Sequence, residues 1–190
     1  MVDYSDVLLV LSAASGVAVI LGVPFIYLQM RQNARLVEAA NRQTELVAQQ
    51  NRSQVLLNIA EHMTDRAFVL QRKAVRDIVA KYSEKGWDSF VDSSDGFEVR
   101  AFAIQYESAA LMVKFGLIEE SALLEAFGPT ITVDWVSLEP AIQAFEKVWG
   151  RSTFPNFRTL AEHSRDQWKA HGREVPSFER LMHQHRSARN

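Results

Sequence analysis

The side chains able to bind metal or activate a nucleophile are few: five histidines (His62, His163, His171, His183 and His185) and no cysteine in 190 residues. Without cysteine there are no disulfides, no Cys-based zinc sites, no thiolate nucleophiles and no thiol redox chemistry. His183 and His185 are two positions apart, so on a helix their rings would sit about 200° apart and face different ways. They read as part of a polar tail, not a metal site. Asp88, Asp92 and Asp95 before Gly96 invite a calcium reading. Aligning Gly96 with the loop glycine of an EF-hand puts Val91 at the first ligand position and Phe102 where a bidentate Glu is required, so the pattern fails. Asp95 reads instead as a helix N-cap, with Glu98 three residues on completing a capping box.

Other chemistry leaves no trace. The HExxH, GxSxG, GxxxxGK[ST] and GxGxxG patterns are absent, so metalloprotease, hydrolase and phosphate-cradling sites have no local support. Glu107 shares the one polar stripe of its helix with Arg100 and Lys114, which makes it a solvated carboxylate and not a general base. Trp87, Trp135, Trp149 and Trp168 lie at element ends or on apolar stripes and read as packing residues. The sequence thus nominates no catalytic residue, no metal ligand and no cofactor. It reads as a protein that is not an enzyme.

What must be positioned, then, is the chain itself, and one segment dominates that question. From Val7 to Met30 there are 24 residues without a charge, bounded by Asp6 and Arg31. As a helix this run would be about 36 Å long, enough to cross a hydrocarbon layer of about 30 Å with some tilt. A cleaved leader fits poorly, because no basic region precedes the run and the run is too long. Residues 7–30 are therefore expected to be a transmembrane helix with the lipid bilayer as its partner. Tyr4 and Tyr27 stand at the two interfaces, and Arg31 and Arg35 at the second. Residues 1–6 hold two acids and no Lys or Arg, whereas Arg31, Arg35, Arg42 and Arg52 follow the run. The positive-inside bias then places residues 1–6 outside and everything after Met30 in the cytoplasm.

Within the run, Ala14, Ala18 and Gly22 recur every fourth residue, and Ser12 and Gly16 form a second small pair. Small residues at this spacing let helices approach closely in lipid. The face they form is expected to pack on another membrane helix or on a second copy of the chain.

No Gly or Pro occurs between Phe25 and Lys85, so the helix is expected to continue out of the membrane as a stalk over 31–54. A heptad reading through Leu36, Ala39, Gln43, Leu46, Gln50, Ser53, Leu57 and Ala60 is half polar or small, too weak for a strong coiled coil. A bundle is expected over 55–150, and a C-terminal helix with a loosely attached tail over 151–190. Thr64-Asp65 caps a helix over 66–82 that Gly86 stops. The next helix, 97–115, carries Phe102, Tyr106, Ala109 and Val113 on one side and Ile104, Leu111 and Phe115 on the other. Apolar on most of its circumference, it is expected to be buried on several sides at the domain's centre. A short helix over 118–127 closes at Gly128-Pro129, Pro140 marks a kink or fresh start with Ser137 as cap, and 156–169 forms the last main helix. No strand pattern competes, so the fold class is all-α.

Charge is uneven. Residues 31–81 carry net +4, residues 84–146 net −9, and residues 151–190 net +4. The acidic middle can attract the basic stalk or tail. Beyond residue 30 the chain holds 21 basic and 21 acidic residues, which argues against nucleic acid as a partner.

The stretch Tyr106-Glu107-Ser108-Ala109-Ala110-Leu111-Met112-Val113-Lys114-Phe115-Gly116-Leu117-Ile118-Glu119-Glu120-Ser121, followed by Phe127-Gly128 and Trp135, is similar to a family of small bacterial membrane proteins of unknown function. In that family a single N-terminal span leads to a helical domain. The resemblance covers about residues 7–150 in layout, implies a bacterial cytoplasmic membrane, and brings no activity or site residue with it. The expected function is a membrane-anchored, non-catalytic interaction module or accessory subunit of a membrane assembly. The alternative is a membrane-tethered sensor whose bundle takes up a small ligand of unknown identity.

Overall fold

The computed structural model describes residues 4–187, with side chains described from Tyr27 to Ser187. The described residues form six helices: α1 (Tyr4–Thr64), α2 (Arg66–Lys85), α3 (Ser94–Lys114), α4 (Glu120–Trp149), α5 (Pro155–Ala170) and α6 (Phe178–Ser187). No strand occurs among them, so the protein is all-α. It divides into two units, residues 1–50 and 51–190.

The first unit is a stretch of α1. From Tyr27 to Gln50 every side chain is exposed. Among the described residues no helix is long and apolar enough to cross a membrane. Most of the expected span, residues 7–26, lies outside the residues whose side chains are described, as do Tyr4 and the small-residue face of Ser12, Ala14, Gly16, Ala18 and Gly22.

In the second unit, α1 ends at Thr64, and Asp65 caps α2 by accepting from the Ala67 N–H at 3.0 Å. The helix beginning at 66 forms as expected, because an Asx side chain satisfies an N–H left free in the first turn. The α2–α3 connection corrects the expected cap. Ser93, not Asp95, is the N-cap of α3, its Oγ accepting from the Gly96 N–H at 3.0 Å. Asp95 sits in the first turn, where the helix dipole favours a carboxylate, and pairs with Lys81 at 2.6 Å. Gly96 is required there for space: a Cβ would stand 2.2 Å from the Phe90 carbonyl oxygen.

Burial assigns the centre to α4, which packs against α2, α3, α5 and α6. Leu123, Ile131, Leu138, Ala141, Ile142 and Phe145 are almost fully buried. At about 1.5–3 kcal/mol per large apolar side chain, this outweighs the cost of about 3 kcal/mol for a helical proline. Hence α4 runs unbroken through Pro129 and Pro140, where the sequence predicts a stop and a restart. Conversely, α3 buries only the side bearing Val99, Phe102, Ala103, Tyr106 and Ala110. Its other side stays in solvent, with Phe97 57%, Ile104 44% and Phe115 71% exposed. The expectation that α3 is buried on several sides is therefore incorrect.

Aromatic rings join the layers. Phe68 of α2 meets Phe102 at 5.1 Å between centroids, and Tyr106 stacks on Phe157 at 4.6 Å, which in turn meets Trp135 edge-on at 4.9 Å. The C-terminal tail is docked, not loosely attached. Met182 of α6 is buried, His185 pairs with Asp77 of α2 at 2.8 Å, and Arg186 pairs with Glu84.

Candidate functional site

Two features of the second unit stand apart from ordinary helix packing, and they share Tyr106. The first is a buried ion cluster. Asp134, in the middle of α4, has a side chain only 1% exposed. Its Oδ2 accepts from Arg72 Nε at 2.8 Å and from the Tyr106 hydroxyl at 2.5 Å, and its Oδ1 accepts from Arg76 at 2.8 Å. Arg72 and Arg76 are one turn apart, so both guanidiniums reach α4 from the same face of α2. A carboxylate removed from water is costly unless paired and hydrogen-bonded, and here both oxygens are satisfied.

The surroundings shift the neighbours' protonation in a consistent sense. Burial pulls the Arg72 guanidinium down, but the Asp134 charge and Tyr106 overcome it and hold Arg72 above its ordinary value. Burial, reinforced by the Asp134 charge, pushes the Tyr106 phenol well above its ordinary value. Tyr106 is therefore a neutral donor, not a proton carrier near neutrality.

The second feature is a groove of about 450 Å³ between the last turns of α1 and the outer side of α3. Val55, Ile59 and Met63 form one wall, Ile104, Ala109 and Met112 the other, and the rings of Phe68 and Tyr106 the floor. No carboxylate, lysine or arginine lines it. Its polar groups are Asn58, His62, Gln105 and Ser108. Gln105 donates to Gln71 at 3.1 Å through Nε2 and accepts from His62 Nε2 at 2.7 Å. Because an amide oxygen only accepts, this contact places a proton on Nε2. The His62 ring stands edge-on to Phe68 at 5.1 Å. The ion cluster thus fixes the floor from behind through Tyr106, while the amide–imidazole chain fixes the lip. A half-open, uncharged, apolar groove of this volume suits the binding of an apolar group. The hollow between α4 and α5, of about 220 Å³, differs in carrying Glu125 and Arg173.

The residues singled out from the sequence fall elsewhere. Tyr27 is 66% exposed and Arg31 and Arg35 are exposed on α1. His163 pairs with Glu120, His171 donates from Nδ1 to the Gln167 carbonyl at 2.7 Å, and His183 is exposed. Among the described residues no group of three His, Asp or Glu side chains is placed to hold a metal ion. Glu107 corrects its reading as a solvated carboxylate. It accepts from the Asn156 side chain at 2.5 Å and the Phe157 N–H at 2.8 Å, and so caps the N-terminus of α5. Sequence reasoning missed Asp134. Its signal was a lone acid inside the apolar run 131–138, matched by two arginines spaced i, i+4 on α2.

The domain of unknown function DUF4760 matches residues 9–165, and the chain belongs to this family. That agrees with the expected resemblance at the level of a helical domain without an assigned activity. No curated protein and no solved structure matches the chain.

Proposed function

We propose, starting from membership of a family without assigned activity, that the protein is a membrane-anchored, non-catalytic interaction module whose helical domain receives an uncharged apolar segment of a partner. The observation that carries this reading is the groove between the end of α1 and α3, about 450 Å³, with no charged side chain in its lining. Charged residues are depleted at the centres of protein interfaces and apolar contact is concentrated there. Ile104 of the groove's α3 wall is 44% exposed, which leaves apolar surface open to a partner.

The anchor rests on the sequence: 24 uncharged residues from Val7 to Met30, helical in backbone from Tyr4 onward. The flanking charge asymmetry supports an outside N-terminus and a domain on the cytoplasmic side of a bacterial inner membrane. The small-residue face of residues 12–22 supports packing on other helices in lipid.

Ala109 is half-buried in the groove wall, so Ala109→Trp fills the groove at little cost to the core. Crosslinking in intact cells followed by purification of the full-length chain should yield partner proteins with the parent and lose them with Ala109→Trp at unchanged melting temperature. Retention of the same partners would refute the groove as the docking site. The His62–Gln105 chain favours a second reading, a sensor for a small apolar ligand with one hydrogen-bonding head. Native mass spectrometry that detects a bound small molecule lost in Ala109→Trp would select it.

A further inference from the structure

On α1 between Tyr27 and Gln50 the charges are segregated. Taking about 100° per residue, Arg31, Arg35, Glu38, Arg42 and Glu45 all fall in one sector about 80° wide. Away from that sector, Leu36, Ala39, Gln43, Val47 and Gln50 form a charge-free strip about 80° wide. Their spacing of three, four, four and three residues is that of an eleven-residue repeat, and Gln54 continues it in the sequence. Such a repeat keeps one seam in line along a nearly straight or slightly right-handed pair of helices. Half of its six positions are glutamine, so it is no more apolar than the heptad, but it holds its angle on the helix, whereas the heptad drifts by Ser53 to the edge of the charged sector. Leu36 is 67% and Val47 48% exposed. The stretch from Tyr27 to Gln50, with every side chain exposed, gains little from propensity alone, and its Glu38–Arg42 pair adds at most about 0.5 kcal/mol.

We propose that α1 pairs through this strip with α1 of a second copy of the chain, parallel and in register. The occupant follows from the chemistry of the strip. A glutamine amide both donates and accepts, so Gln43 facing Gln43 and Gln50 facing Gln50 satisfy each other. A parallel identical helix brings amides to the same heights and so pairs them at each level. A buried amide pair at a seam position also specifies register. Identical helices in register bring like charges to the same height, and the placement of all five charged residues off the strip removes that repulsion. The pairing does not depend on what fills the groove, so the two readings fail separately.

The chain's lack of cysteine makes the test direct. Leu36→Cys, Gln43→Cys and Val47→Cys on one hand, and Glu38→Cys and Glu45→Cys on the other, are made singly in the full-length protein. Each is oxidised with copper phenanthroline in the membranes or extracts of cells expressing it. All five positions are exposed, so none disturbs the core. The expected result is a disulfide-linked dimer at all three strip positions and none at Glu38 or Glu45. Dimer at no strip position overturns the proposal. So does dimer at only one of the three, the pattern of antiparallel pairing, and so does equal linking at strip and charged positions, the pattern of random collision.

Discussion

Asp134 illustrates how a single side chain can bind three elements. Its carboxylate joins two arginines of α2 and the Tyr106 hydroxyl of α3 to the middle of α4. Removing one partner from a buried ion pair costs more than the pair itself contributes, because the remaining charge is stranded. Asp134→Asn should therefore lower stability by about 3 kcal/mol in urea unfolding, near the low end of such losses because both guanidiniums keep an edge to solvent. Tyr106 adds a pH signature. Its folded value is raised, so its contribution is present in full below the unfolded phenol value near 10 and is lost as pH rises through the folded one. The melting temperature of the parent should fall in alkali above about pH 10 more steeply than that of Tyr106→Phe. Parallel curves would show that the phenol is not coupled to folding.

Among the elements, α4 and α6 show packing overriding local preference in opposite directions. In α4 two prolines leave carbonyls without their helical partners, yet the helix persists because it is buried against four others. The close approach of α5 adds a tie beside Pro129, although not at the Glu125 carbonyl that this proline leaves without its helical partner: Ser164 Oγ donates to the Gly128 carbonyl at 2.6 Å, and the Thr132 hydroxyl donates to Ser164 at 2.7 Å. In α6, a ten-residue segment too short to be stable alone is held by Met182 and by the His185–Asp77 contact. Met182→Ala should cost about 2 kcal/mol. Hydrogen exchange should show that loss first at the amides of α6, with the protection of α4 unchanged. Loss spread evenly over all helices would mean that α6 belongs to the global cooperative unit.

At the scale of the molecule, the uneven charge of the sequence becomes intramolecular pairing within residues 51–190. The acidic middle supplies Asp134, Asp95, Glu146 and Glu84, and the basic flanks supply Arg72 with Arg76, Lys81, Arg158 and Arg186. These contacts and the closed aromatic core all lie after residue 50, so the second unit should fold without the first thirty residues. Deleting residues 1–30 should yield a protein found in the supernatant after high-speed centrifugation, with the helical circular dichroism and melting transition of the second unit intact. The full-length chain should pellet and resist carbonate extraction. A full-length chain left in the supernatant without detergent would remove the anchor from the proposed function.

The sequence by itself determined what is local. The start of α2 at an Asp cap, its stop at Gly86, the all-helical class and the absence of thiol chemistry follow from neighbouring residues, because capping, periodicity and glycine stops act within about one turn. Tertiary structure alone decided which acid is buried, which carboxylate caps a distant helix, and which side of α3 stays bare. Asp134 finds its partners 28, 58 and 62 residues away, and Glu107 caps a helix 50 residues on. A charge inside an apolar run reads as a flaw until its counter-charges arrive, and a proline reads as a break until burial on several sides outweighs one lost hydrogen bond. Those outcomes depend on differences of a few kcal/mol between large opposing terms, and such differences are set by contacts far apart in the chain.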